Sequence, residues 1–289
     1  MRRMEYTLCS SKVKSDKNIA IVSDLHISEN MPKKRLTEVL DTLDDIDPTH
    51  IVIPGDLYNV DMSTIGEEKV TNFMNSASEI ADVFYVKGNT EDMGSILNYR
   101  ILPNGLEKND NSRIHILCEN QKGYQTKVAK HNELSIAGIR LPEEFYRLSE
   151  SEKVTMLLSR YDKYLDRLLK QCGEKSYNIL LCHDPIIRDM ILLMEAIRDS
   201  KISTFDLVIS GHNHGGMFPE SLRPLIKLFS KDITKYYPTY TDGLMRCGNN
   251  GLMIVSEGIT KYHSEMGVLE HLERYHEGTI ENVRILKKD

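Results

Sequence analysis

Seven side chains able to ligate metal recur at one kind of place along this chain: Asp24 and His26 in SDLH, Asp56 in PGDL, Asn89 in KGNT, His183 in LCHD, and His212 and His214 in SGHNH. Each follows an apolar run of strand length. In open α/β sheets the loops beyond the strand carboxyl ends gather into one crevice, where residues distant in sequence can meet. Taken singly, each has a plain explanation: Asp24 as a cap or turn residue, Asn89 as the turn after Gly88, His183 as a core histidine. Their shared position is the signal. Imidazole and carboxylate donors suit zinc, manganese or iron, and no cysteine belongs to the set. Two ions roughly 3.5–4 Å apart need a bridging carboxylate, for which Asp56 is the natural choice; such a pair can hold a hydroxide and clamp a phosphoryl group for in-line displacement. Alternation along an extended segment lets His212 and His214 serve neighbouring ions, and Gly211, Gly215 and Gly216 permit the tight path that aims them.

The elements that must position these groups alternate along the chain. NIAIVSDLH reads as a buried strand entering a loop, and PKKRLTEVLDTLDDI follows with helical spacing at Leu36, Val39, Leu40 and Leu43. THIVIPGDLYN repeats the pattern; a helix over about Ser63 to Ala81 precedes the third copy, DVFYVKGNTED. Three βα units in succession imply parallel neighbours in a sheet covered by helices. RIHILCEN, YQTKVAKHN and ELSIAGIR then read as consecutive strands, which predicts an antiparallel middle section. A charged helix from about Ser149 to Gln171 leads to YNILLCHDP, another covers roughly Ile186 to Asp199, and GLMIVSEGI and TIENVRILKK add two late strands. The expected fold is α/β, a layered αββα sandwich of two mixed sheets flanked by helices, forming one domain over residues 1–289.

Composition narrows the classes. The 289 residues are 40% hydrophobic and 28% charged, which marks an ordinary globular protein with a sizeable core. A formal charge of −6 with no basic run argues against duplex nucleic acid as a partner. Five cysteines without a CxxC pair indicate reduced thiols and a cytoplasmic setting, with Cys118 and Cys182 as buried small hydrophobes. MRRMEYTLCS has no apolar stretch of signal-peptide or membrane-spanning length behind it.

DLH, GDL, GNTE, the strand-end His183 and GHNH, in that order, resemble the calcineurin-like metallophosphoesterases over about residues 18 to 260. GHNHGGM and the later VSEGI are most similar to a bacterial branch typified by YkuE and YaeI, whose members often carry a membrane anchor ahead of the first strand. The resemblance implies that Asp24, His26, Asp56 and His214 hold one divalent ion and Asp56, Asn89, His183 and His212 the other. Asp56 and Asn89 thereby belong to the catalytic set. Mn, Fe and Zn all remain candidates.

One departure has chemical weight. GNTE places Thr90 where most members have a histidine that faces the substrate and protonates the leaving group. Losing such an acid forfeits ~10²- to 10⁴-fold in rate for a poor leaving group and far less for a good one. The expected reaction is therefore hydrolysis of a phosphodiester or pyrophosphate bond in a phosphorylated small-molecule or lipid-linked substrate. The alternatives are a phosphomonoesterase or Ser/Thr phosphoprotein phosphatase, and a non-catalytic scaffold of the same fold. His263 in ITKYHSE is a candidate replacement acid, or else a solvated loop residue. Glu91 matches the family's acidic position and is expected to orient the Asn89 loop. Arg140 reads either as a phosphate contact or as a structural arginine. In residues 217–246, Leu222, Leu225, Ile226, Leu228 and Phe229 beside Arg223 and Lys227 suggest a lid, an acyl-chain surface or peripheral membrane contact, against packing onto the sandwich.

Overall fold

Alternating apolar residues decide which face each strand buries, and here both faces are needed. On β2 (Lys17–Ile21), Ile19 and Ile21 point one way while Ala20 points the other, and all three are fully buried. The computed structural model describes residues 1–59, 64–91, 111–117, 126–197, 205–216, 224, 227–228, 238–260 and 277–288. Among them, strands form two six-stranded sheets.

The first sheet contains β1 (Arg2–Ser10), β2, β3 (His50–Ile53), β4 (Asp82–Tyr85), β5 (Ile114–Ile116) and β12 (Thr279–Lys287), ordered β1-β12-β2-β3-β4-β5. The second contains β6 (Thr126–His131), β7 (Leu134–Ile139), β8 (Tyr177–Cys182), β9 (Leu207–Ser210), β10 (Gly243–Cys247) and β11 (Gly251–Val255), ordered β10-β11-β9-β8-β7-β6. Ile19, Ile21, Val52, Phe84, Ile136, Leu181 and Ile209 fill the layer between the sheets. Helices α1 (Lys33–Ile46) and α2 (Thr64–Ile80) cover the outside of the first sheet through Leu36, Val39, Leu43, Val70 and Phe73. On the far side, α4 (Glu150–Cys172) and α5 (Ile187–Ile197) pack Leu157, Tyr161, Leu165 and Met190 onto the second sheet; the short α3 (Glu143–Tyr146) precedes them. The expected αββα sandwich is present. Each sheet runs parallel through its centre, β2-β3-β4-β5 and β7-β8-β9-β11, so the carboxyl ends within each sheet open on one edge.

The middle section differs from the sequence expectation. β5 pairs parallel with β4 in the first sheet, and only β6 and β7 form an antiparallel hairpin, in the second. Asn132 turns that hairpin in the left-handed region at φ 55°. The chain changes sheets between β5 and β6, a choice of partner that strand propensity does not encode. β1 and β10, edge strands with mixed exposure, were also not anticipated. Cys182 is buried as expected, whereas Cys118 lies outside the described residues. No helix among the described residues is long and apolar enough to cross a membrane.

Leu181 lies at the centre of the inter-sheet layer with no exposed surface. Leu181→Ala should cost about 2–5 kcal/mol of stability. Urea unfolding should show a lower midpoint at unchanged slope.

Candidate metal centre

Where the strands stop, the backbone turns abruptly. Asp24, His26, Asp56, His212 and His214 all adopt positive φ, between 49° and 73°. Left-handed backbone at a non-glycine residue costs of order 1–3 kcal/mol and persists only where the surroundings over-determine it. Five of the seven residues singled out from sequence carry that strain.

Hydrogen bonds between neighbouring strand ends hold these turns. Asp24 N donates to Gly55 O (3.2 Å), His26 N to Asp56 O (3.0 Å), Gly211 N to His183 O (3.1 Å), and His212 N to Asp24 Oδ1 (3.1 Å). Gly55 permits one close approach: at φ 123°, a Cβ there would lie 2.5 Å from His183 Nδ1. Gly88 is equally constrained, because a Cβ would collide with Asp56 Oδ1.

The seven side chains converge. Donor atoms of Asp24, His26 and His214 lie within 4.8 Å of one another, as do those of Asp56, His183 and His212. The two groups adjoin: His26 Nε2 is 3.6 Å from Asp56 Oδ2, His183 Nε2 is 3.3 Å from Asp56 Oδ2 and 3.9 Å from Asp24 Oδ1, and His214 Nε2 is 3.4 Å from Asp24 Oδ1. Asn89 Oδ1 sits 3.1 Å from His183 Nε2. Asp56 stands between the groups, where a bridging carboxylate belongs.

The imidazoles are set to offer Nε2. His183 Nδ1 faces Pro54 O at 3.1 Å and His214 Nδ1 faces Thr260 O at 2.6 Å; a carbonyl only accepts, so both Nδ1 atoms carry the proton. His26 Nδ1 pairs with Asn59 Oδ1 at 2.9 Å in the same sense. Such outer partners keep a proton on Nδ1 and aim Nε2 at the cluster, the atom a metal ion would take. The donor set therefore fits two divalent ions.

Glu91 locks the loops from beneath. Its carboxylate accepts from Asp56 N (3.2 Å), Leu57 N (2.5 Å), Gly88 N (2.9 Å) and Tyr85 Oη (3.0 Å), tying the turn after β3 to the turn after β4. Burial, then the Asp56 charge, push its pKa up to about 8. Burial also works against charge on His183, but Asp56, Asp24 and Glu91 outweigh it and raise the pKa to about 10. Asp56 is held well below the usual carboxylate range, with His183 and His26 overcoming burial. Burial lowers His212 to about 3, with Asp184 opposing.

The model of the calcineurin-like phosphoesterases matches residues 17–216, which include all seven positions. The chain belongs to the calcineurin-like phosphoesterase family. An inferred metallophosphoesterase of Caenorhabditis elegans is 27% identical over 78% of this chain and 42% of its own length. An uncharacterized metallophosphoesterase of Campylobacter jejuni is 24% identical over 85% of this chain and 54% of its own. The chain thus spans about half the length of the curated relatives it matches. A dimetal phosphatase from Danio rerio is similar at 13% identity and a TM-score of 0.46, covering 84% of this chain and 87% of that one. Membership in the calcineurin-like phosphoesterases implies two divalent ions, for which the two donor groups are the candidates.

Within this calcineurin-like site, Thr90 is buried, its N donates to Asp56 Oδ1 (3.0 Å) and its hydroxyl donates to Tyr58 O (2.9 Å). That proton is committed to the fold. Arg140, half-buried, directly follows β7, and its carbonyl accepts from Tyr161 Oη at 3.4 Å. His263 lies outside the described residues, as does most of 217–246. Asp184 and Lys153 were not singled out from sequence. Asp184, adjacent to His183, accepts from Lys153 Nζ (2.7 Å) and lies 3.9 Å from His212 Nε2. Its position next to a strand-end histidine was the available signal. Asn59 and Thr260 left none, because they orient imidazoles across loops.

Two outcomes follow from this geometry. Glu91→Gln replaces a four-fold acceptor with a group that brings its own donors, and should weaken Mn²⁺ affinity by about 10- to 100-fold in titration calorimetry. A divalent ion at His183 Nε2 displaces the proton held there. Because that pKa is raised to about 10, Mn²⁺ affinity should climb with pH across the neutral range, about tenfold per unit for one proton released. Affinity independent of pH would contradict the assignment.

Proposed function

We propose that this chain hydrolyses a phosphodiester or pyrophosphate bond in a phosphorylated small-molecule or lipid-linked substrate. The observation that carries the reading is the meeting of two donor groups around Asp56, with imidazole tautomers already set. Bound divalent ions supply charge neutralisation for the phosphoryl group and lower the pKa of attacking water. The protein's own part is to hold Asp24, His26 and His214 on one side of Asp56, and Asn89, His183 and His212 on the other, in strained turns that buried hydrogen bonds keep from relaxing.

The committed hydroxyl of Thr90 supports the choice of bond. No proton comes from this position to a departing oxygen, so the reaction favours groups that leave readily as anions, such as the phosphate of a pyrophosphate or an activated alcohol. A phosphoprotein phosphatase acts on alkoxide leaving groups and depends most on the acid this position lacks. Full retention of candidate ligands weighs against a scaffold that has lost the chemistry.

Purified protein reloaded with Mn²⁺ and assayed on aryl phosphodiesters of graded leaving-group pKa should show rates falling steeply as that pKa rises. Asp56→Asn should remove at least ~10³-fold of the rate, because it takes charge from both donor groups at once. A flat dependence would argue for an unrecognised acid, and activity surviving Asp56→Asn would remove the reading altogether.

A further inference from the structure

Glu281 is a buried carboxyl group outside the donor set around Asp56. It shares a face of β12 with Val283 and Ile285, both in the aliphatic layer between the sheets, and is 1% exposed. β12 runs antiparallel to β2 with Glu281 opposite Ile21, so this side chain enters the layer at the edge from which Asp24 emerges. A carboxyl group in such surroundings needs hydrogen-bond donors. Two come from across the layer, immediately after β11 of the second sheet: Ser256 Oγ donates to Glu281 Oε2 at 2.7 Å and Glu257 N to Oε1 at 3.0 Å. These residues belong to VSEGI, a stretch the sequence singles out and the chemistry at Asp56 leaves unused.

Residues 256–260 run from Glu281 to the donor group of Asp24, His26 and His214. Ser256 N donates to Ser210 O (2.8 Å), the end of the strand that leads into His212 and His214. With its proton given to Glu281, the Ser256 hydroxyl is oriented to accept from Gly258 N at 3.1 Å. Gly258 takes φ 77°, and a Cβ there would lie 2.9 Å from Asp24 Cβ, so the turn rests directly on Asp24. It continues with Ile259 N on Ser23 O (3.0 Å) and Thr260 N on Asp24 O (3.0 Å), while Thr260 Oγ1 donates to Leu25 O (2.8 Å). Thr260 O is also the acceptor for His214 Nδ1 at 2.6 Å. One residue thus grips the backbone that carries Asp24 and aims the imidazole of His214.

We propose that Glu281 is a positioning residue for the Asp24, His26 and His214 donor group: by holding Ser256 and Glu257 it sets the turn through which Thr260 places Asp24 and His214. This rests on the reading of that group as one half of a dinuclear metal centre. Glu281 serves this half as Glu91 serves the other. Glu91 accepts from backbone N–H groups in the turns after β3 and β4 and so steadies Asp56. Glu281 accepts from the turn after β11, whose own N–H groups at Ile259 and Thr260 steady Asp24. Neither acid belongs to the ligand set; outer partners of this kind fix the orientation of the ligands. Because the chain of contacts from Glu281 ends on Asp24 and His214, its loss is felt at one of the two ions. Thr279 N, donating to Gly258 O at 3.0 Å, is a second tie between the turn and β12, so removal of the carboxyl group displaces the turn without detaching it.

Stepwise Mn²⁺ binding tests the clamp. In titration calorimetry of metal-free full-length protein, wild type should take up two ions. Glu281→Leu, which removes both acceptors, should weaken one step by about 10- to 100-fold and leave the other unchanged; Glu281→Gln, which keeps one acceptor, should fall between. Ile285→Ala, on the same face of β12, lowers stability without touching the turn and should bind both ions as wild type does. Where Glu281→Leu fails to fold, Ser256→Ala removes only the hydroxyl between Glu281 and Gly258 N and carries the same expectation. A second measurement needs no metal: in ¹⁵N-labelled protein, His214 should keep its proton on Nδ1 in wild type and lose that preference in the Glu281 and Ser256 variants, while His183, bonded to Pro54 O, stays as it is. Both steps weakened together, both steps retained, or a His214 signal that ignores the substitutions would overturn the clamp. Wild type that takes up no Mn²⁺ would overturn the metal reading instead, and the ¹⁵N comparison would still decide whether Glu281 sets His214.

Discussion

Two carboxylates, Asp24 and Asp56, are sealed from solvent at the junction of the sheets, and the architecture around them follows from that burial. A buried carboxylate is costly unless positive charge and hydrogen-bond donors surround it. Here the donors are backbone N–H groups of His212 and Thr90, and the positive charge is a proton on His183 lodged between both acids. Glu91 adds a third acid and would worsen the balance, but it rests on three backbone N–H groups and a phenol. Such a cluster is organised for cations. The left-handed turns are the mechanical counterpart, since the free energy stored in them is tolerated only where several loops constrain one another.

The two poles of the sandwich use similar residues differently. At the carboxyl ends, aspartates and histidines sit on strained loops anchored to backbone carbonyls, so their positions are over-determined. At the amino ends, His50, Asp82, His115 and His131 sit within regular strands, and only side-chain partners hold them.

Thr90 is tied into the site through both its amide and its hydroxyl. Its small side chain turns inward, caps Tyr58 O and leaves its amide on Asp56. The carboxylate placement is thereby secured, and the hydroxyl is engaged with a backbone carbonyl rather than facing the metal ligands.

Much of the centre is legible in the sequence, because β2, β3, β8 and β9 each carry an apolar run followed within three residues by an aspartate or histidine of the set, and parallel strands bring such positions to one edge. Local patterning also located α1, α2, α4 and α5, whose apolar spacing is intrinsic to one turn of chain. It missed β1, where one residue in nine is buried, and β10, where only Cys247 is. Pairing could not be read, so β5 was expected in an antiparallel set although it adds parallel to β4. Nor did spacing hint that His50 and His131, on strands of different sheets, would meet through their imidazoles. Composition and periodicity act within a few residues and so specify elements and their ends, whereas tautomers, shared protons and sheet membership arise from neighbours that only folding brings within 3–4 Å.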